Sequence, residues 1–142
     1  MIENSGLIDS NILIYSLDRS EGDKYDGAKR FMSQRLLAGD GVVSIQNLAE
    51  FYSNVTEKIT RPISPSEARD TLEEIKDSLR VVSYFPETIA RASLLHERYR
   101  IHFWDALLVA TMQENHLSII YTEDTKDFEK IPGINAINPF DK

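Results

Sequence analysis

The sequence predicts an α/β fold, a parallel sheet with helices on both faces, and three observations point to it. Its strand-like segments are short, continuous apolar runs, as expected of strands covered on both sides. They alternate with longer stretches whose apolar residues recur at helical spacing. No repeat, low-complexity tract or linker breaks the pattern, so residues 1–142 are expected to form one domain.

Taken in order, "GLID" (6–9) reads as the first strand and runs straight into the apolar-periodic "SNILIYSLD". "DKYDGAKRFMSQRLLAG" carries Tyr25, Ala28, Phe31, Met32 and Leu36 at helical spacing and stops at Gly39. "GVVS" (41–44) is the second strand. The helix "IQNLAEFYSNVTEKI" is expected to bury Ile45, Leu48, Ala49, Tyr52, Val55 and Ile59, which leaves Glu50 almost opposite, facing solvent. In "RPISPSEARDTLEEIKDSL", Ser64 is the N-cap, Pro65 the first helical residue, and Glu67 completes a capping box. "RVVSY" (80–84) is the third strand, and Pro86 opens "PETIARASLLHERYRI". "FWDALLVATMQENH" is apolar nearly all round, hence a buried helix. "SIIYT" (118–122) and "INAIN" (134–138) are the fourth and fifth strands, the last closed off by Pro139.

Composition narrows the function. A chain of 142 residues, 42% hydrophobic, is long enough to bury a core. The longest apolar run, "ALLVA" at 106–110, falls far short of the ~20 residues a membrane span needs. No basic region followed by an apolar stretch opens the chain, so no signal peptide is expected. The absence of cysteine excludes disulfides, thiolate nucleophiles and Cys-based zinc sites, and suits the cytoplasm. The 16 Lys and Arg face 23 Asp and Glu, a net charge of −7, which excludes nucleic-acid binding driven mainly by the overall field. Such a role must rest on a local site, on metal ions or on a partner.

In open parallel sheets, ligands sit outside the carboxyl ends of the strands. Asp9 ends the first strand and Asp124 follows the fourth, Glu50 lies in the helix after the second, and Asp105 opens the buried helix. Each has an ordinary alternative. Asp9 suits an N-cap, Glu50 a solvated face and Asp105 a first helical turn, while Asp124 and Asp127 suit caps of a short turn at "DTKDF". Jointly these readings weaken, because like charges gathered in one cleft raise one another's pKa and cost folding energy unless a cation offsets them. Mg²⁺ takes a few carboxylates and leaves the rest of its shell to water and substrate phosphate, which suits attack of water on phosphorus.

The segments "LIDSNILIY", "SIQNLAEFY", "HFWDALLVATM", "IIYTEDTKDF" and "IPGINAINPF" resemble, in order and spacing, the PIN-domain family, most closely its free-standing VapC-like toxins of prokaryotic toxin–antitoxin pairs. The resemblance implies a five-stranded sheet in the order 3-2-1-4-5 and a Mg²⁺- or Mn²⁺-dependent ribonuclease. It assigns Asp9, Glu50, Asp105 and Asp124 to the family's acidic quartet, with Asp9, Asp105 and Asp124 as metal ligands. Asn11 and Thr122 match supporting polar residues. Asp127 stands one residue farther from Asp124 than in many relatives, a supporting position at most. The implied reaction is in-line attack of metal-activated water on the RNA phosphodiester without help from the 2′-OH. Relatives of this type pair as homodimers and are silenced by a small antitoxin protein.

Several side chains receive quieter expectations. His96, His102 and His116 form no acid–base or metal motif, and Glu123 is expected to be solvated. Arg19, Lys24, Arg61 and Lys126 are candidate local contacts to RNA. Tyr15, Phe51 and Tyr52 are expected to pack in the core, with a partner surface as the alternative. Three rival readings remain. A haloacid-dehalogenase-like phosphatase needs a second Asp where Asn11 stands, and a phospho-receiver needs an Asp after the third strand that "VVSYFPE" lacks. A catalytically inactive PIN-like protein-binding module has no need of four converging carboxylates.

Overall fold

Neighbouring residues within four of the five strands enter opposite cores, which is how a sheet so short supports two layers of helices. The computed structural model describes residues 4–141. Strands β1 (Gly6–Ile8), β2 (Gly41–Ser44), β3 (Arg80–Val82), β4 (Ile119–Tyr121) and β5 (Asn135–Ile137) form a parallel sheet in the order β3-β2-β1-β4-β5. Each lies within its expected segment. Leu7, Val42, Val82 and Ile120 join the core made with helices α5 (Pro86–Tyr99), α6 (Phe103–Glu114) and α7 (Lys126–Glu129). Ile8, Val43 and Tyr121 join the other, made with α1 (Ser10–Tyr15), α2 (Asp23–Ala38), α3 (Ile45–Glu57) and α4 (Pro65–Ser78).

Gly6 is required by close approach, since a Cβ there would run into the Tyr121 ring from the neighbouring strand. Gly39 ends α2 with φ +69°, a left-handed cap that glycine takes without strain. The expected box at Ser64 is half formed among the described residues: Ser64 Oγ accepts from Glu67 N–H at 3.1 Å, while Glu67 is exposed. A reciprocal box forms instead at the start of α3, between Ser44 and Asn47.

The phase of α3 departs from expectation. Its buried residues are Gln46, Asn47, Phe51 and Val55, whereas Ile45 is 38% exposed and Ala49 lies at the surface. The cause is hydrogen bonding, since Gln46 and Asn47 both have partners inside and turn with them the face that apolar periodicity alone assigned outward. Glu50, one turn beyond Gln46 and Asn47, is carried to the border of the buried face. Phe51 packs in the core, as expected, and Tyr15 and Tyr52 are packed partly against it. Among the described residues no helix is long and apolar enough to cross a membrane.

Candidate active site

Parallel pairing of β1 with β4 places Ile8 opposite Tyr121, so the chains leave the sheet side by side at Asp9 and Thr122. Asp9 is buried and caps α1, accepting from Ser10 N–H at 2.7 Å through Oδ1. The same oxygen accepts from Asn47 Nδ2 at 3.4 Å, and Oδ2 accepts from the Thr122 hydroxyl at 2.9 Å. With its proton turned to Asp9, Thr122 Oγ1 accepts from Asn11 Nδ2 and from Asp124 N–H, each at 3.3 Å. Asn11 and Thr122 thus tie the ends of two strands to one carboxylate.

Asn47 was not singled out in the sequence. Fully buried, it spends Oδ1 on the start of α3, accepting from Ser44 N–H at 3.0 Å, and turns its amide nitrogen to Asp9. The available signal was Ser44 followed three residues later by a side chain able to close a capping box, but with Asn in place of the usual Glu or Gln.

The other acids gather round Asp9. Burial pushes the Asp9 carboxyl above its ordinary range despite its hydrogen bonds, and the charge of Asp124 adds to the rise. Glu50 is raised by burial and then by the Asp9 charge, and its Oε1 is buried with no hydrogen-bond partner among the described residues. Asp105, in the first turn of α6, is pushed up to about 8 by burial, by a proton shared with Asp127 and by the Asp9 charge. Asp127 resists the effect of its own partial burial and is held down to about 2 by hydrogen bonds from Asp105 and His102. Its Oδ2 accepts from His102 N–H at 3.0 Å and from the imidazole Nδ1 at 2.8 Å. Asp105 therefore carries the shared proton and Asp127 the charge.

Three sequence expectations fail here. His102, read as lacking any motif, offers a ligand atom within 4.8 Å of those of Asp105 and Asp127. Nothing near it in the sequence signalled this, because Asp127 arrives from α7 through the sheet topology. Of the two acids expected to cap the short turn, Asp124 does accept from Lys126 N–H at 3.4 Å, whereas the Asp127 carboxylate is spent on the start of α6. Glu123 is the third failure. It is not left to solvent but accepts from Tyr15 Oη at 2.7 Å and pairs with Lys24 Nζ at 2.6 Å, so Lys24, a candidate RNA contact from the sequence, is already engaged. Asp124 stands exposed beside it. Among the described residues no Lys or Arg forms an ion pair with Asp9, Glu50, Asp105 or Asp124.

Residues 6–134 match the PIN domain. The chain belongs to the PIN-domain family. Its sheet order is the one the resemblance implied. Solved PIN-like relatives cover nearly the whole chain. One is a toxin–antitoxin complex from Klebsiella pneumoniae, 24% identical over 97% of this chain and 100% of that one, with a TM-score of 0.67. VapC20 of Mycobacterium tuberculosis, a sarcin–ricin loop cleaving toxin, is 15% identical over 88% and 94%, with a TM-score of 0.70. FitAcB from Neisseria gonorrhoeae is 16% identical over 94% and 97%, with a TM-score of 0.68. At these identities the likeness is one of fold. No curated protein matches the chain.

Proposed function

We propose that this PIN-domain protein is a ribonuclease that hydrolyses RNA phosphodiester bonds with Mg²⁺ or Mn²⁺, and that it acts in the cytoplasm as the toxin of a toxin–antitoxin pair. The observation that carries the reading is a set of carboxylates from separate elements, centred on buried Asp9, in mutual electrostatic contact and without a Lys or Arg ion pair. The donor set fits a hard divalent ion, since it is made of oxygens, and the unpartnered buried Oε1 of Glu50 is a lone pair still to be satisfied. Asp9, Asp105 and Asp124 would hold the ion, with Glu50 beside them. When bound, it supplies an acidified water and offsets charge on the scissile phosphate.

The chain's own residues do the rest. Thr122, Asn47 and the N-terminus of α1 fix the Asp9 carboxylate so that one geometry is ready before substrate arrives. Asn11 and the Asp124 N–H hold Thr122 in turn. Glu50, its pKa raised, is suited to accept a proton at Oε1 from the attacking water. Asp127 and His102 hold the start of α6 and thereby Asp105. A homodimer and a small antitoxin covering the cleft complete the proposal, the antitoxin being supported by a fold relative solved as a toxin–antitoxin complex.

The test is cleavage of total cellular RNA by the purified protein with Mg²⁺, Mn²⁺ or EDTA, beside Asp9→Asn. Metal-dependent cleavage that leaves 5′-phosphate and 3′-hydroxyl ends, lost in the variant, is the expected result. No cleavage with either metal, and no metal bound by calorimetry, overturns it and leaves the non-catalytic binding module.

A further inference from the structure

Resting on that ribonuclease reading, we infer that Trp104 is a stacking platform for an RNA base next to the scissile phosphate. The site offers few cations with which to grip RNA, chiefly Lys126 beside Asp124 and Lys58 near Glu50. The chain carries −7, its candidate site is a knot of acids, and Lys24 beside it is committed to Glu123. Affinity from neutralised phosphates is correspondingly small, so a contact that does not depend on charge has to contribute more. Aromatic faces provide such contacts, because every base has a π-face to stack on.

Trp104 is placed and shaped for this. It is the only tryptophan in the chain, sits in the first turn of the otherwise buried helix α6, and directly precedes Asp105. It remains 61% exposed while residues 106–112 of the same helix are all buried. A large exposed aromatic at such a point calls for a binding partner more than an isolated surface leucine does. It is also held rather than free. Its carbonyl accepts from Gln46 Nε2 at 3.1 Å, which ties the start of α6 to α3 one turn before Glu50. Phe103 braces the indole edge-on, with ring centroids 5.4 Å apart. A rigid aromatic loses little entropy when a base settles on it.

The sole tryptophan makes its own probe. Titrating a short single-stranded RNA into the full-length protein, with Ca²⁺ replacing Mg²⁺, should quench the intrinsic fluorescence. In steady-state cleavage with Mg²⁺ or Mn²⁺, Trp104→Ala should raise KM by about 5- to 100-fold, the span seen when a stacking aromatic is truncated, and move kcat far less. Trp104→Phe should recover most of the loss, whereas Trp104→Leu, equally apolar but without a π-face, should not. If Leu rescues as well as Phe, or if Trp104→Ala changes the sedimenting mass and leaves KM alone, the residue belongs to a protein interface and the inference falls. It falls also if the wild type cleaves RNA with unquenched fluorescence. Absence of cleavage by the wild type under any metal is a different failure, that of the ribonuclease reading itself.

Discussion

Glu123, two residues past the end of β4, and the acids gathered round Asp9 from other elements are treated by the fold in opposite ways. Glu123 is given a cation and a phenol, Lys24 and Tyr15, which together hold its pKa below the ordinary value despite its partial burial. Asp9, Glu50 and Asp105 are given burial and a neighbouring acid's charge, that of Asp124 on Asp9 and that of Asp9 on the other two, and all three are pushed up. The chain has the means to pair an acid at this place and does so at Glu123 with Lys24 and at Asp127 with His102. Leaving the neighbouring set uncompensated costs stability, a cost that persists where a bound group repays it. Under the proposed ribonuclease reading, the contrast sets apart a carboxylate that holds the fold from carboxylates that would hold a metal ion.

The sharpest way to break the comparison is at its centre. Asp9→Asn should lower RNA cleavage by more than about 100-fold, beyond the range for losing a partner of a metal ligand. In EDTA near pH 8 the same variant should melt no lower than wild type, because it removes a buried charge that the metal-free protein accommodates poorly. Reduced activity with reduced metal-free stability would instead make Asp9 a structural cap. One step outward, Thr122→Val keeps the shape and removes the hydroxyl shared by Asp9, Asn11 and Asp124. It should cost about 10- to 100-fold in metal affinity or rate, read by calorimetry and by cleavage.

Protons provide the next test. Asp105 titrates at about 8 in the folded protein against 3.8 in the open chain, and Asp9 and Glu50 move the same way. Between those values the native state binds more protons than the unfolded one, so these groups contribute stability at the acid end that is lost as pH rises towards 8. Asp127 runs opposite, contributing above 3.8 and losing that contribution as pH falls towards about 2. Melting curves in EDTA should therefore drop across the neutral range, and Mg²⁺ should raise them most at its alkaline end, where binding displaces the fewest protons. A Mg²⁺ effect independent of pH would show that the raised carboxyls are not its ligands.

The parallel sheet and the acids at its strand ends, Asp9 and Asp124, were legible in the sequence for a physical reason, whereas the strand order and the grouping of Glu50 and Asp105 with them came from the family resemblance. Continuous apolar strands announce a parallel sheet, and residues at strand ends stand out against them. What was not legible depends on contacts between distant segments. His102 and Asp127 are 25 residues apart and meet only because α7 returns over the start of α6. Glu123 finds Tyr15 at a separation of 108 residues. The turn of α3 was misread because Gln46 and Asn47 point inward to make hydrogen bonds, and apolar periodicity counts every polar residue as outward. Trp104 shows the converse, an apolar residue that stays outside on a helix read as buried throughout.

The smallest expected effect bears on the comparison from its paired side. Glu123→Gln removes the charge that meets Lys24 but keeps an oxygen to accept from Tyr15. The Lys24 side chain is 43% exposed and that of Glu123 29%, so solvent screens the pair, and thermal stability should fall only slightly, the more so in high salt. RNA cleavage should not change measurably, because the backbone N–H of Glu123, not its carboxylate, faces Asn11 and the site. Two variants one residue apart would then diverge, since Asp124→Asn should impair metal binding and cleavage while Glu123→Gln impairs neither. If instead Glu123→Gln costs activity as Asp124→Asn does, Lys24 and Tyr15 were holding a working carboxylate, and the line between paired and waiting acids has been drawn one residue too early.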